Sequence, residues 1–278
     1  MSEAEMRLAE LGRVLDGIGP MAVAVSGGVD SLTLATFAHR RQSGVQMFHA
    51  VSPAVPGEAT ARVRALARSE GWDLIVADAG EFADTDYLSN PVNRCFYCKT
   101  NLYGTLAPLT GAQIVSGTNL DDLGEYRPGL EAAKNHRVRH PFVEAGISKA
   151  MVRAIARHLG LAEVSELPSA PCLSSRIETG IAIDPAMLGL VHAAEQWVTK
   201  KMAPRTVRCR VRAKGVVIEL DEDNLARLDG KLLGALQQAI GALFRDGGFD
   251  YPVTLAPYRT GSAFLVRMPQ REKSANLT

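Results

Sequence analysis

Short apolar runs alternate with helical patterns through the first part of the chain, and this alternation restricts the possible folds most strongly. The apolar runs cover residues 21–25, 45–51, 73–77 and 112–116. The helical patterns cover residues 31–41, 59–70, 94–106 and 148–159. Short buried strands separated by helices are typical of a parallel sheet with helices on both faces. We therefore predict an α/β fold with a doubly wound parallel sheet.

The pattern changes after residue 163, which suggests two domains joined by a loop. Residues 164–183 are rich in proline and serine and predict a linker loop that contains a cysteine. A helix is then predicted over 184–201, with Asp184 as its N-cap and Pro185 at its first position. A hairpin over 206–220, a helix over 222–244 and a short C-terminal strand pair follow. The predicted parts are a nucleotide-binding domain (1–163), the linker (164–183) and a smaller C-terminal α/β domain (184–278).

The overall charge and the N-terminal segment bear on partners and location. The 278 residues carry a formal net charge of +1, which does not favour nucleic acid as a partner. Residues 1–20 have the periodicity of an amphipathic helix and resemble neither a signal peptide nor a membrane span. We therefore expect a cytoplasmic protein with no membrane partner. In a reducing compartment, its four cysteines indicate metal, cluster or thiol chemistry.

The strongest motif is Ser-Gly-Gly-Val-Asp-Ser, which lies between a predicted strand and a predicted helix. Gly27 and Gly28 allow phosphate oxygens to approach the backbone, and the hydroxyls of Ser26 and Ser31 add donors. Asp30 would repel bare phosphate, so its presence suggests a bridging Mg²⁺ ion. The lysine of a Walker motif is absent, as is the Gly-x-Gly-x-x-Gly pattern. The alternative is a glycine turn that only joins the strand to the helix.

A second candidate segment, residues 116–122, follows the run at 112–115. Gly117 and Thr118 would lie at the C-terminal edge of the sheet, where doubly wound folds bind ligands. Asp121 and Asp122 are candidates to hold Mg²⁺. The alternative is that they cap the next turn of the chain.

Cys95 and Cys98 are three residues apart near the start of a predicted helix, so both thiols lie on one helix face. Together with Cys172 from the linker, they form a candidate iron–sulfur ligand set. The alternatives are two unligated thiols or a zinc site completed by Cys209. The alternation of residues 208–213 assigns Cys209 to the core, however, which removes that fourth ligand. Lys99 could lower the pKa of the nearby thiols.

These motifs together resemble the LarE sulfur transferases. The loop around Ser26 resembles the PP-loop of the ATP pyrophosphatases, which transfer AMP from ATP to a substrate. The more specific motifs are Arg-Cys-Phe-Tyr-Cys-Lys (94–99), Gly-Thr-Asn-Leu-Asp-Asp (117–122), Tyr-Arg-Pro-Gly (126–129) and Pro-Ser-Ala-Pro-Cys-Leu-Ser-Ser-Arg (168–176). The resemblance implies that ATP, with Mg²⁺, adenylates a carboxylate of pyridinium-3,5-biscarboxylic acid mononucleotide. Sulfur then replaces the adenylated oxygen during synthesis of the nickel-pincer cofactor of lactate racemase.

The resemblance also implies roles for particular residues. Cys172 is the central cysteine, and Cys95 and Cys98 indicate the type that binds a [4Fe–4S] cluster instead of sacrificing its own sulfur. The residues that would contact the substrate are Arg176, Glu195, Arg210 and Arg212. Glu195 could equally be a solvated helix residue. Arg208, Arg210 and Arg212 share one strand face, which requires an anion or a carboxylate opposite them.

Three matters stay open at this level. The sulfur donor is not indicated by the sequence, and a homo-oligomer, a hexamer, is expected only from the resemblance. A tRNA thiolase of the same superfamily is the main alternative function. A nucleotide-binding regulatory protein without catalysis is a second alternative.

Overall fold

The structure, a computed structural model of the chain, describes residues 3–124 and 126–264. Its helices are α1 (Glu3–Ile18), α2 (Val29–Arg41), α3 (Gly57–Glu70), α4 (Thr85–Leu88), α5 (Arg94–Leu106), α6 (Gly129–Asn135), α7 (Pro141–Glu144), α8 (Lys149–His158), α9 (Ala162–Ser165), α10 (Pro185–Met202), α11 (Glu222–Ala226) and α12 (Gly230–Asp246). Its strands are β1 (Met21–Ala24), β2 (Gln46–Val51), β3 (Asp73–Asp78), β4 (Gln113–Ser116), β5 (Val207–Arg212), β6 (Gly215–Leu220) and β7 (Val253–Pro257). No described helix has the length and apolar character needed to cross a membrane.

The first four strands form a parallel sheet in the order β3-β2-β1-β4, with helices on both faces. Alternate residues of β1 point to opposite sides, as a strand requires. Val23 packs in a core with α1, α2 and α8, whereas Ala22 packs on the other face, in a core that contains Tyr103 of α5 and Ala133 of α6. The predicted doubly wound α/β fold is confirmed.

The strand order reverses beside β1, and this reversal creates the crevice where ligands bind in such folds. β2 lies on one side of β1, and β4 lies on the other. The chain therefore leaves β1 and β4 at neighbouring points on the C-terminal edge of the sheet. The two candidate segments, residues 26–31 and 116–122, follow these two strands.

The C-terminal part has a three-stranded sheet in the order β5-β6-β7. β5 and β6 form the predicted antiparallel hairpin, and β7 runs parallel to β6. The apolar face of this sheet packs with α10 and α12 in a second core. Asp184 caps α10 as predicted, because its carboxylate accepts hydrogen bonds from the N–H groups of Ala186 (2.7 Å) and Met187 (3.1 Å).

Two predictions for this part need correction or restriction. The single helix predicted over 222–244 is wrong, since α11 ends at Ala226 and α12 begins at Gly230. Asp229 caps the new helix by accepting a hydrogen bond from Leu232 N (2.7 Å), and an N-cap residue does not have helical backbone angles. Of the predicted strand pair, β7 is described, and any partner after residue 264 lies outside the described residues.

The predicted linker, residues 164–183, packs closely against the rest of the protein. It begins within α9 and contains a 3-10 turn, Leu173–Arg176. Leu173, Ile177 and Ile183 are buried in the second core. Leu173 N also donates a hydrogen bond to Ala54 O (2.8 Å), which ties the segment to the part of the chain that holds the parallel sheet. The domain boundaries at residues 163 and 184 stay predictions.

Candidate active site

The loop between β1 and α2 holds its two serines together. Ser31 Oγ accepts a hydrogen bond from Ser26 N (3.0 Å), lies 3.1 Å from Ser26 Oγ and donates to Gly28 O (3.2 Å). α2 starts directly after the loop at Val29, so its first N–H groups and positive dipole end face the same space. This is the local arrangement that binds phosphate at the start of a helix.

Two glycines allow this loop to contact its neighbours. Gly27 has φ of +83°, and a Cβ atom there would lie 2.8 Å from Ala59 O in the first turns of α3. A Cβ atom at Gly117 would lie 2.8 Å from Ser31 N and 2.9 Å from the carbonyl carbon of Asp30. Gly117 therefore lets the loop after β4 pack directly on the first turn of α2.

The carboxylate of Asp30 is held from two sides, by groups that lie far from it in the sequence. Its Oδ1 accepts a hydrogen bond from Asn119 Nδ2 (3.2 Å), and its Oδ2 forms an ion pair with Lys149 Nζ. Lys149 is the first residue of α8 and was missed at the sequence level. The sequence contained only a weak sign of this contact. A lysine in the first turn of a helix is unfavourable next to the positive end of the helix dipole, unless an anion lies nearby.

Asp122 caps the turn that follows Gly117, as the alternative allowed, whereas Asp121 binds the first residue of α8 instead. Asp122 Oδ2 accepts a hydrogen bond from Asn119 N (3.0 Å), and its Oδ1 pairs with Arg127 Nη2 (2.8 Å). Asp121 Oδ2 accepts a hydrogen bond from Lys149 N (3.0 Å). The contact of Asp121 joins the loop after β4 to α8. A role in Mg²⁺ binding stays a prediction for both residues.

Thr118 lies beside a half-buried polar chain at the end of β4. Its Oγ1 is 3.1 Å from Ser116 Oγ, which in turn is 2.9 Å from His140 Nδ1. Burial lowers the pKa of His140, so the neutral imidazole is favoured. Thr118 thus has its hydroxyl engaged within the loop that faces the crevice.

The three cysteines predicted to act together share one neighbourhood between the two sheets. Cys95 and Cys98 lie one turn apart on α5, and Cys172 precedes the 3-10 turn of the linker. Burial raises the pKa of Cys95 and raises that of Cys98 to about 12, and a charge on Cys172 adds to both shifts. Within residues 3–124 and 126–264, no three Cys, His, Asp or Glu side chains are grouped closely enough to hold a metal ion.

Charged neighbours make the environments of Cys95 and Cys98 unequal. After burial and the Cys172 charge, the cations Arg94 and Lys99 act to lower the pKa of Cys95. Cys98 has Lys99 acting in the same direction but also Glu81, which acts to raise its pKa. Lys99 therefore acts in the direction predicted from the sequence, and burial outweighs its effect.

Arg176 and Glu195 form a buried ion pair that holds the Cys172 segment in place. Arg176 Nε and Nη2 donate to the two carboxylate oxygens of Glu195 at 2.9 and 3.0 Å. Arg176 Nη1 donates to Pro171 O (2.6 Å) and Cys172 O (3.2 Å). Glu195 also accepts a hydrogen bond from Cys209 N (2.9 Å). The alternative of a solvated Glu195 is wrong, and direct substrate contact by either side chain stays a prediction.

The carboxylate that the arginine face of β5 requires is Glu219 on β6. Its oxygens pair with Arg210 Nε (3.0 Å) and Arg212 Nη2 (2.8 Å), and the residue is only 1% exposed. Arg210 is also buried, with 4% of its surface exposed, and it donates a further hydrogen bond to Ser175 O (2.9 Å). Arg208 Nη2 instead donates to Ser169 O (2.9 Å) in the linker. The arginine face is therefore turned toward the Cys172 segment.

Arg212 differs from Arg210 because it is partly exposed and lines a cavity of about 430 Å³. Its Nε atom is buried and has no hydrogen-bond partner within the described part of the chain. Arg259 also lines this cavity. The other residues around it are Val217, Glu219, Thr254, Leu255, Ala256 and Pro257. On the opposite face of β5, Cys209 is fully buried, as predicted.

Comparison with known proteins finds relatives that match nearly the whole chain. The uncharacterized protein slr1717 of Synechocystis sp. is 35% identical over 265 residues, which cover 92% of this chain and 96% of the relative. A protein of Lactiplantibacillus plantarum named pyridinium-3,5-bisthiocarboxylic acid mononucleotide synthase is 27% identical over 94% of this chain and 95% of its own length.

A third relative is more distant, and family models add nothing further. The uncharacterized protein MJ0830 of Methanocaldococcus jannaschii is 26% identical over 231 residues, or 82% of this chain and 85% of the relative. No protein-family model matches the chain. The alignments with the first two relatives extend across the loop after β1, the cysteine helix and the linker, because each covers more than nine-tenths of the chain.

Proposed function

Because the chain belongs to the LarE-like family of these relatives, we propose that it is an ATP-dependent sulfur transferase acting on a pyridinium mononucleotide. It would adenylate a carboxylate of the pyridinium ring and convert that carboxylate to a thiocarboxylate. The observation that carries the proposal is the meeting of two loops in one crevice, where Gly117 packs against Ser31 and Asn119 binds Asp30. The name of the Lactiplantibacillus relative supports the substrate class.

The nucleotide half of the reaction would use the loop after β1. The N–H groups at the start of α2 and the hydroxyls of Ser26 and Ser31 would bind the phosphates of ATP. Mg²⁺ commonly uses one or two carboxylates and completes its shell with phosphates and water, so Asp30 together with the nucleotide fits it. Mg²⁺ would neutralise phosphate charge. Lys149 would hold Asp30 in place and add positive charge near the phosphates.

The sulfur half would use Cys172 together with Cys95 and Cys98. Thiolates are the ligands that iron–sulfur clusters take, so Cys95, Cys98 and Cys172 would be the residues that hold a [4Fe–4S] cluster, and they would have to come closer together than in this structure to do so. Such a cluster would carry the incoming sulfur. The three thiols are close enough that a charge on one raises the pKa of another. The side chains of Cys98 and Cys172 also pack against the second core. Glu195 and Arg176 would fix the loop that carries Cys172.

The acidic substrate would be bound by arginines of the C-terminal sheet. Arg212 suits this role best, because it is partly exposed and lines the cavity between β5, β6 and β7. Arginine binds carboxylates and phosphates through two parallel hydrogen bonds. Arg210 already binds both Glu219 and Ser175, so we assign it to shaping the site.

We also propose that the protein is a cytoplasmic homo-oligomer, the hexamer that the resemblance implies.

The central test incubates anaerobically purified protein with ATP, Mg²⁺ and pyridinium-3,5-biscarboxylic acid mononucleotide. Pyrophosphate release that depends on the mononucleotide is the expected result, and Asp30→Asn should reduce it at least 10²-fold, as for loss of one preorganised transition-state contact. Release that depends on tRNA would instead support the tRNA thiolase. Bound ATP without release would support the regulatory protein.

A second measurement concerns the sulfur. Wild-type protein reconstituted with iron and sulfide should be brown, and Cys95→Ala should lose the colour, whereas Cys209→Ala should keep it. A colourless wild type whose Cys172 loses the mass of H₂S after turnover would overturn the cluster and identify a sacrificial cysteine.

A further inference from the structure

Arg62 lies beside the phosphate-binding loop and was not singled out by any sequence motif. It is on α3, one turn after Ala59, and the carbonyl oxygen of Ala59 packs closely against Gly27. Arg62 Nη1 donates a hydrogen bond to Gly27 O at 2.6 Å. This bond points the guanidinium at the loop after β1. The side chain is half-buried.

The charge of Arg62 has no counter-ion in residues 3–124 and 126–264, since none of their ion pairs includes it. Lys149, which also lies at this crevice, is already paired with Asp30. A guanidinium has five N–H donors in a rigid fork, and only one of the Arg62 donors is engaged by Gly27. The remaining donors and the uncompensated charge are available to an anion at the loop.

The position of α3 is itself fixed at its other contacts. Glu58, in the first turn of α3, accepts a hydrogen bond from Gln196 Nε2 and lies 3.1 Å from His192 Nε2 on α10. Thr60 is hydrogen-bonded to the buried ring of His49 (2.9 Å), whose Nδ1 contacts Val25 O (2.8 Å) next to the loop. The helix that carries Arg62 is therefore held in place by α10 and by β2, and this fixes the position of Arg62 beside Gly27.

We propose that Arg62 binds the β- and γ-phosphates of ATP and stabilises pyrophosphate as it leaves. The inference rests on the proposed adenylation. In that step a carboxylate oxygen of the substrate forms a bond to the α-phosphorus, and the bond from this phosphorus to the bridging oxygen breaks. The electron pair stays on the bridging oxygen, so negative charge grows on pyrophosphate. A fixed guanidinium stabilises such charge more in the transition state than in bound ATP.

The test compares Arg62→Ala with Arg62→Lys and with Arg68→Ala, an exposed arginine further along the same helix. We expect Arg62→Ala to lower kcat for pyrophosphate release about 10²-fold, with partial recovery in Arg62→Lys. Arg68→Ala should match wild type. Calorimetry with inorganic pyrophosphate should show binding weakened about tenfold or more in Arg62→Ala, equivalent to 1.4 kcal/mol. AMP binding should be unchanged.

Each outcome has a defined meaning. Equal losses of pyrophosphate and AMP affinity would show that Arg62 only shapes the loop, and this would overturn the assignment. So would a kcat for Arg62→Ala within threefold of wild type. If wild type releases no pyrophosphate, the adenylation proposal fails, and the calorimetry still decides whether Arg62 binds this anion. Wild type that does not bind pyrophosphate would overturn the inference.

Discussion

The buried pair of Arg176 and Glu195 gives a prediction whose size follows from the contacts. The guanidinium is only 4% exposed, makes both of its parallel bonds to Glu195 and also binds two carbonyls of the Cys172 segment. Arg176→Met would leave the carboxylate buried with one remaining donor, Cys209 N. Removing one partner of such a pair costs about 3–5 kcal/mol, because an uncompensated charge stays in the interior.

The assay is urea unfolding at neutral pH, followed by tryptophan fluorescence. Of the two tryptophans, Trp197 lies on α10 two residues after Glu195 and Trp72 lies in the first core, so the signal reports on both parts of the fold. The matched control is Arg205→Met, because the Arg205–Asp223 pair is largely exposed and should contribute no more than about 1 kcal/mol.

A double variant separates the lost ion pair from the lost packing. In Arg176→Met/Glu195→Leu no charge is stranded, and apolar replacement of a buried pair is often nearly neutral. The N–H of Cys209 then lacks its acceptor, which costs about 1–3 kcal/mol, and the carbonyls of Pro171 and Cys172 lose the Arg176 donor equally in both variants. The double variant should therefore be more stable than Arg176→Met alone. A loss below 1 kcal/mol in Arg176→Met, or a double variant less stable than it, would refute the assignment.

Two further predictions concern the loop after β1 and a buried histidine that lies next to it. Gly117→Ala should lower pyrophosphate release at least tenfold, because the new Cβ would lie 2.8 Å from the backbone nitrogen of Ser31. The control is Gly57→Ala, which has open space around it and should not lower the release. Equal activities of the two variants would show that the loops are not in contact. Burial lowers the pKa of His49, so the folded protein keeps this ring neutral. Its stabilising contribution should be complete above about pH 6.5 and decline as the pH falls toward the folded pKa, by at most about 1.4 kcal/mol per pH unit. Urea unfolding at pH 7.5 and 5.5 should show a smaller loss on acidification in His49→Gln, and an unchanged loss would contradict this.

Local sequence patterns were sufficient for most elements. The apolar runs predicted β1 to β4, and Asp184 followed by Pro185 predicted the start of α10, because strand periodicity and helix capping depend on neighbouring residues. The one clear error, the helix over 222–244, missed a capping signal that was present. Asp229 before Gly230 is a good N-cap, but the apolar periodicity on both sides hid the break.

The residues of the candidate site also fall into two groups, those that the sequence indicated and those that only the structure brought together. The sequence pointed to Ser26, Ser31 and Asp30 through a short motif, and to the three cysteines through spacing and resemblance. It did not pair Asp30 with Lys149, which is 119 residues away, or find the Arg62 contact with Gly27, 35 residues away. A single sequence records which side chains exist but not which distant ones meet.

The sequence by itself determined the order of the helices and strands and the glycine loop at the start of α2, since these depend on interactions over a few residues. The tertiary structure decided which charges are used inside the protein and which face the crevice. Glu195 and Glu219 neutralise Arg176 and Arg210 because the folded chain buries them together, and a buried charge must be paired. Arg62 keeps an uncompensated charge beside the loop because folding brings α3 onto it and supplies no carboxylate from the described residues.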